Sequence, residues 1–378
     1  NTLGSLTCFG DGDNAVCYGP GANATGQNTT AIGAFASAAA TSDIAEFAAT
    51  AIGSNANASG ASSTSIGNSS RANRSGSIAI GHLANADDVR TIAIGSGSTA
   101  TAECAMAVGW NASATANNSI AIGDSSQALA NDSTAIGKNA QASQVNSIAI
   151  GLNSSSTGPN STALGHNAQA TRGQSIAIGR GAVADKFGTA ALGACSNAFG
   201  NRSIAVGVYA NATGVCSMAI GFTANATAEN SIAIGDSANA TANNSIAIGL
   251  TSKASDVDST AIGHNSSSTG VNSSAFGQRA KASGNDSTSL GKASRATGQG
   301  ATAVGHFAQA DGSRTIAVGA GSLSNQTCAV AIGQFSRATG TSVLAIGTNA
   351  SASKADAIAI GILSNSSAAN TTTVGTEA

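Results

Sequence analysis

Histidine is the residue type here with the clearest capacity for chemistry, because imidazole binds metals and moves protons near neutral pH. Each of the four histidines follows a glycine of a 14-residue series, so they lie six, seven and three periods apart. At one strand spacing per period, at least ~14 Å separates any two within one chain, which excludes a shared metal ion. We interpret this site as a variable turn position. It is occupied by His82, His166, His264 and His306, and elsewhere by Trp110, Lys138, Phe222 and Asp236.

No other group of residues indicates catalysis. Carboxylates are sparse and none recurs beside a histidine, and no glycine-rich stretch ends in the Lys-Ser/Thr of a phosphate loop. Acyltransferases built on a left-handed β-helix repeat every six residues, which does not fit a period of 14. The sequence therefore predicts no catalytic residues, no metal, no cofactor and no enzymatic activity.

Six cysteines without a C-x-x-C spacing favour disulfides over redox or metal chemistry. Cys8 and Cys17 are expected to close an N-terminal cap. Cys195 and Cys216 lie one and a half periods apart and are the second candidate pair. Cys104 and Cys328 lie eight periods on either side of Cys216, too far away to pair with it. Two roles are left for these thiols: they are small buried residues, or they form bridges to neighbouring chains.

Asparagine begins an N-glycosylation acceptor triplet, Asn-x-Ser/Thr, at 22 of its 33 occurrences. We expect several sites to carry sugar, which implies a secretory route; the alternative is a set of polar asparagine ladders without sugar. The principal candidates are Asn23, Asn57, Asn117, Asn131, Asn211, Asn225, Asn239, Asn243, Asn285, Asn349 and Asn365.

The composition excludes several classes of partner. Of 378 residues, 47 are glycine, 9% are charged, 3% are aromatic, and the formal net charge is −2. That charge gives no basic field for nucleic acid, and no apolar run is long enough for a membrane-spanning helix. Because the chain starts at Asn1 without a methionine, we expect a processed form or an excised fragment.

A repeat must position these residues. A glycine occupies every fourteenth position from Gly53 to Gly375, 24 times, with Gly19 and Gly33 as an earlier pair in phase. Alternation with period two on both sides of the glycine predicts two short strands and two turns per repeat. The sequence thus predicts an all-β, parallel β-solenoid of 14-residue coils, and the glycine is expected to allow a positive φ.

The columns beside the glycine predict which face is buried. The preceding residue is aliphatic in 23 of 24 repeats, and alanine lies two before it in 21. We expect the aliphatic residues one and three before the glycine to point inward, together with the Ala or Ser three and five after it. The outward alanine stripe then needs a cover, and sister chains are the simplest one. Its interface candidates are Ala79, Ala93, Ala107, Ala121, Ala149, Ala177, Ala233 and Ala247.

The predicted domain organisation is an N-terminal cap over residues 1–18 followed by one repeat domain over residues 19–378. A six-residue insertion near residues 41–47 is its only break. Residues 119–158 match residues 231–270 at 27 of 40 positions, and the offset between the two segments is eight coils. This superperiod indicates growth by block duplication.

Residues 230–245, with the core Ser231-Ile-Ala-Ile-Gly235, closely resemble the head repeat of YadA-like trimeric autotransporter adhesins. The resemblance covers nearly the whole chain and implies a left-handed β-roll, a homotrimer and an extracellular adhesive or spacer surface. The family's neck, stalk and membrane anchor have no counterpart here, so the resemblance implies no membrane contact for this segment.

We therefore expect a non-catalytic extracellular fibre, a rigid surface-displayed adhesin or structural rod that contacts a host or matrix surface or its glycans. The alternative is a heavily N-glycosylated filament subunit of a eukaryote, archaeon or virus that stacks head to tail. A remote alternative is ice or mineral binding, which needs a more regular polar array than this one.

Overall fold

The fold is described by a computed structural model for residues 9–10, 13–39 and 48–377. The described residues are all β and contain no helix; they form a parallel β-solenoid of about 25 coils of ~14 residues. The predicted fold class is confirmed. The chain divides into two compact units, residues 1–188 and 189–378, and each by itself is a parallel β-solenoid with about half of these coils. The single domain over residues 19–378 stays a prediction.

Each coil contributes one three-residue strand, which ends just before the repeat glycine. We call the sheet of these strands the long-strand sheet. In the first unit it contains Val16–Tyr18, Thr30–Ile32, Thr50–Ile52, Thr64–Ile66, Ile78–Ile80, Ile92–Ile94, Met106–Val108, Ile120–Ile122, Thr134–Ile136, Ile148–Ile150, Thr162–Leu164 and Ile176–Ile178. In the second unit it contains Ala190–Leu192, Ile204–Val206, Met218–Ile220, Ile232–Ile234, Ile246–Ile248, Thr260–Ile262, Ser274–Phe276, Thr288–Leu290, Thr302–Val304, Ile316–Val318, Val330–Ile332, Leu344–Ile346, Ile358–Ile360 and Thr372–Val374.

A second, mostly two-residue strand begins four residues after most repeat glycines, and these strands form the short-strand sheet. In the first unit it contains Phe9–Gly10, Asn23–Thr25, Ser37–Ala39, Asn57–Ala58, Arg71–Ala72, Asn85–Ala86, Thr99–Ala100, Ser113–Ala114, Gln127–Ala128, Gln141–Ala142, Ser155–Ser156, Gln169–Ala170 and Val183–Ala184. In the second unit it contains Asn197–Ala198, Asn211–Ala212, Asn225–Ala226, Asn239–Ala240, Lys253–Ala254, Ser267–Ser268, Lys281–Ala282, Arg295–Ala296, Gln309–Ala310, Leu323–Ser324, Arg337–Ala338, Ser351–Ala352 and Asn365–Ser366.

Equivalent residues of successive coils stack in register. Ile78 pairs with Ile92, and Asn85 pairs with Thr99, each one full period further along the chain. The pair of Thr30 with Thr50 spans a longer segment of chain, as the predicted insertion requires. The insertion expected near residues 41–47 lies outside the described residues. The turn after the repeat glycine forms one edge of each coil, the first edge, and the turn between the short and long strands forms the second edge.

The interior of each coil is filled by small side chains, and here the predicted orientation of the long strand was wrong. Alanines two residues before the glycine are fully buried within the single chain, while the flanking aliphatic residues point outward. The interface candidates Ala79, Ala93, Ala107, Ala121, Ala149, Ala177, Ala233 and Ala247 are therefore core residues, each 0% exposed. The Ala or Ser residues three and five after the glycine are buried as predicted, for example Ala84 and Ala86.

Volume explains this orientation better than hydrophobicity does. Fourteen residues at ~3.3 Å each close a loop of roughly 46 Å, which leaves the two sheets very close together. Methyl and hydroxymethyl groups from both sheets fill that gap, whereas isoleucine facing a neighbour would overfill it. Reading isoleucine as a core residue followed its apolarity and neglected the size of the available space.

Serine and threonine hydroxyls satisfy backbone carbonyls inside this narrow core. Ser77 Oγ donates to the carbonyl of Arg74 at 2.6 Å, and Ser98 Oγ donates to that of Gly95 at 2.8 Å. Each bond closes a turn that begins three residues before the serine. A buried hydroxyl with such a partner avoids the desolvation penalty of an unpaired polar group. This accounts for the abundance of serine in an interior that otherwise holds alanine.

The repeat glycines confirm the expected positive φ and show why no other residue fits. Gly81 has φ +135°, and a Cβ at that position would lie 2.6 Å from the carbonyl carbon of Gly95 in the next coil. Successive coils touch backbone to backbone at this point. Glycine is therefore required both for its conformation and for the space it leaves.

We predict that Gly81→Ala lowers the free energy of unfolding by at least ~3 kcal/mol, because it adds backbone strain and a clash. The matched control is Gly76→Ala. Gly76 has φ +67°, where a Cβ meets nothing closer than Arg90 Cγ at 3.6 Å, so only about 1–2 kcal/mol of left-handed strain is expected. Thermal melts followed by circular dichroism measure both variants, and equal melting temperatures would contradict the coil contact.

We also predict that Ala121→Leu destabilises the isolated chain by about 1–3 kcal/mol or more, because it overpacks the space between the sheets. Its neighbour Ile122 projects outward, so Ile122→Leu in the same strand should leave the melting temperature of the isolated chain nearly unchanged. Melts at submicromolar concentration make the comparison. A stable Ala121→Leu chain that merely fails to assemble would restore alanine as the interface residue.

Candidate functional surface

The histidines lie exposed on the first edge of their coils, each just after the repeat glycine. His82 Nδ1 lies 3.3 Å from the carbonyl oxygen of Asn68 in the preceding coil, and the ring of His306 contacts that of Phe307 with centroids 4.2 Å apart. Across the described residues, no three His, Cys, Asp or Glu side chains gather closely enough to hold a metal ion. These are surface turn residues of one column.

The cysteines agree with only part of the prediction. Cys17 is disulfide-bonded, and its expected partner Cys8 lies outside the described residues. The pairing of Cys195 with Cys216 was wrong, since both are free thiols. Cys195 lies on the first edge of its coil and Cys216 on the second edge of the next, so the interior separates them. Cys104 and Cys328 are also free, at the same turn position as Cys216.

The acceptor asparagines fall into two structural groups. Asn117, Asn131, Asn243 and Asn285 are exposed on the second edge of their coils, one residue before a left-handed turn residue. Most of the others begin short strands and lie half-buried against neighbouring coils: Asn23, Asn57, Asn211, Asn225 and Asn239. Asn349 and Asn365 are exposed, and Asn349 adopts a left-handed conformation with φ 55°.

Part of the asparagine content has a structural cause. Non-glycine residues with φ near +55° occur at both turns of nearly every coil, and asparagine is one of the few residues that tolerates this conformation. The side chains also stack: Asn211 Nδ2 donates to Asn225 Oδ1 at 2.9 Å, and Asn225 Nδ2 donates to Asn239 Oδ1 at 3.1 Å. The alternative of asparagine ladders is therefore realised in this segment. Glycosylation stays a prediction.

The outward face of the long-strand sheet is an apolar surface in each unit, and sequence reasoning placed its residues in the interior. The residue before the repeat glycine forms an aliphatic column that only Tyr18 and Phe276 interrupt among the described long strands, and the residue three before adds Ile, Val, Leu or Met in about half of the coils. In the single chain Ile176 is 40% and Leu290 48% exposed. The near-invariance of this column was the sequence signal for the apolar face, but the prediction placed the column on the inner side of the strand.

Aromatic side chains form smaller exposed groups on the first edge. Trp110, Phe222 and Phe307 are each more than half exposed, and the rings of Tyr209 and Phe222 meet edge to face with centroids 6.4 Å apart. These residues vary from coil to coil, unlike the aliphatic column. Variable residues on an edge are typical of a surface that a rigid scaffold displays.

Comparison with known proteins agrees with the 14-residue coil. The family model described as the YadA head domain repeat (2 copies) matches twelve segments: residues 11–45, 48–70, 75–98, 100–126, 128–154, 156–182, 184–210, 212–238, 240–266, 268–294, 296–322 and 329–350. The chain belongs to the YadA head repeat family. Each family unit covers two coils, so the match follows the glycine series through both structural units.

Among solved structures, the chain is similar to the collagen-binding domain of the Yersinia adhesin YadA, with 28% identity and a TM-score of 0.26. The match covers 39% of this chain and 66% of that one. A search of curated proteins found no match. The YadA head repeats described here include no helix long and apolar enough to cross a membrane.

We predict that sugar attachment distinguishes the two groups of acceptor sites in these YadA head repeats. Asn117, Asn131, Asn243 and Asn285 should be occupied when the chain is secreted from a cell with Asn-linked glycosylation. Asn225 should stay largely unmodified, because its amide bonds both neighbours and glycans on coils ~4.8 Å apart would collide. Peptide mass spectrometry after amidase treatment measures occupancy. Full occupancy of Asn211, Asn225 and Asn239 together would contradict the steric argument.

Proposed function

We propose that the chain is a non-catalytic, adhesin-like part of an extracellular fibre, in which copies of the chain pack their long-strand sheets against one another. The short-strand sheet and the two edges then face outward and present side chains to a host or matrix surface. Membership of the YadA head repeat family supports an adhesin-like surface protein and three chains about one axis. The exposed aliphatic face carries the proposal independently of the family.

The size of that face indicates that it is covered. In the first unit the long-strand sheet has twelve strands with two outward positions each; the residue before the glycine is aliphatic in eleven of them, and the residue three before is Ile, Val or Met in seven. At ~4.8 Å per strand and ~3.3 Å per residue, the face measures roughly 400 Å² per unit. The largest apolar patch on a typical soluble monomer has about this size and is often functional. A second copy of the same face is complementary to it in chemistry and in strand spacing.

The opposite face differs in chemistry. The outward residues of the short strands are mostly Asn, Gln, Ser, Thr, Lys or Arg, and these are the residues that an assembly would leave in water. They lie on a backbone hydrogen-bonded from coil to coil, for example Asn85 N to Ser98 O at 2.8 Å. Such a scaffold holds the side chains in rows on a pre-ordered backbone, so that binding carries no cost for ordering the backbone.

Oligomeric state is the first test. We predict that the chain sediments as a trimer at micromolar concentration, and that replacing Ile220, Ile234 and Ile248 together with Asp reduces it to monomers. The charged groups would have to be desolvated at the interface, a penalty of at least ~3 kcal/mol per subunit.

The control is replacement of Asn211, Asn225 and Asn239 with Asp. These residues lie on the same coils but on the opposite sheet, so the same added charge should leave the trimer intact. A monomeric wild-type chain, or equal dissociation of both variants, would contradict the proposed packing. Beads coated with assembled wild-type chain should also adhere to extracellular matrix from cultured cells more than beads coated with the monomeric variant.

A further inference from the structure

Five exposed cations gather on one side of the second unit. Lys253, Lys281 and Arg295 begin short strands, and Arg279 and Lys292 lie on the adjoining first edge. We call these five residues the basic patch. Four of the 16 cations in the whole chain fall between residues 279 and 295, a concentration that the near-neutral net charge conceals.

The neighbouring carboxylates lie elsewhere on the same coils. Asp256, Asp258 and Asp286 lie on the second edge, across the width of the short-strand sheet from the first edge. Asp311 alone reaches the patch, with Oδ1 3.1 Å from Arg295 Nε. Among the described residues, Lys253, Arg279, Lys281 and Lys292 have no carboxylate within ion-pair distance. Charge is therefore segregated between the two edges.

This arrangement is electrostatically unfavourable for the lone chain. Lys281 and Arg295 are direct partners in adjacent parallel strands, ~4.8 Å apart, and like charges facing each other in a sheet destabilise it. Asp311 offsets part of this repulsion at Arg295, whereas Lys281 has no such partner, unlike Lys138, which has Asp124 on the adjacent coil at 3.5 Å. The equivalent positions of many other coils carry Asn, Gln, Ser or Thr. Two neighbouring cations at one place on an otherwise regular scaffold indicate that an anionic ligand binds there and offsets their repulsion.

We propose that the basic patch binds a linear anionic polysaccharide, one that carries sulfate or carboxylate groups along its length. The proposal rests on the proposed function, because it requires the short-strand sheet to face outward in the assembly. From Lys253 to Arg295 the patch extends three coil steps, about 14 Å along the solenoid. Anionic groups repeated along a sugar chain can follow this row, with Arg279 and Lys292 closing one side.

Nucleic acid fits the patch less well. Its five cations, within three coil steps, are fewer than the six to ten phosphate contacts that are typical of strongly salt-dependent duplex binding. On an assembly of several chains, each copy would present one patch. A long polysaccharide can engage more than one copy, which raises the apparent affinity without any new contact.

The test uses the full 378-residue chain and immobilised heparin as the probe, with neutral dextran as the blank. We expect salt-dependent binding to heparin and none to dextran. Arg279→Gln combined with Lys281→Gln should raise the Kd about tenfold and reduce the slope of log Kd against log salt by about two, one per lost anion contact.

The matched control is Arg71→Gln combined with Arg337→Gln. Both residues are exposed and begin short strands, but they lie outside the patch. The two substitutions remove the same total charge as those in the patch. This control should bind heparin as the wild type does. Equal weakening of both double variants, or tighter binding to single-stranded DNA than to heparin, would overturn the proposal.

Sedimentation of the same samples separates this inference from the proposed function. If the chain is a trimer but does not bind heparin, the polysaccharide site is contradicted and the proposed fibre is not. If the wild-type chain is a monomer, the proposed fibre is contradicted, whatever the affinity of the chain for heparin.

Discussion

The close approach of successive coils at the repeat glycine is the constraint on which the rest of the structure depends. A Cβ on Gly151 would lie 2.6 Å from the carbonyl oxygen of Gly165, and the same contact recurs along both units. Each coil is also narrow, so that only small side chains fit between its two sheets. The glycine series, the alanine and serine interior and the 14-residue period are therefore one physical requirement.

Small interior residues leave the larger apolar residues no place except outside. Each long strand directs alanine inward, so its isoleucines necessarily line the outer face of the sheet. A single chain then exposes an apolar strip to water, and the proposed packing of further copies against it would remove that strip from solvent. In the proposed fibre, the association of copies would thus follow from the narrowness of the coil.

The same backbone decides which residues are free to vary. Positions at the turns need only tolerate a left-handed conformation or point into solvent, so Asn, Cys, Arg, Phe and Tyr all occur there. Outward positions of the short strands accept almost any polar residue. The basic patch and the aromatic pair Tyr209–Phe222 lie at such positions, where chemistry can change without disturbing the coil.

The sequence alone determined the coil: the glycine period, the two strands, the parallel stacking, the positive φ and the buried Ala or Ser residues after the glycine could all be predicted. These features repeat in every coil, and local sterics dictate them. It did not determine which side of the long strand faces inward, because alternation with period two fits either orientation.

That choice depends on the distance between the sheets, which only the tertiary structure decides. It moved Ala121 into the core and Ile122 onto the surface. Cys195 and Cys216 stay apart as well, because residues one and a half periods apart lie on opposite edges of the solenoid. The tertiary structure brought Lys281 beside Arg295 and placed Asp256, Asp258 and Asp286 on the other edge, because a solenoid sorts residues by their position in the period rather than by their neighbours in the chain.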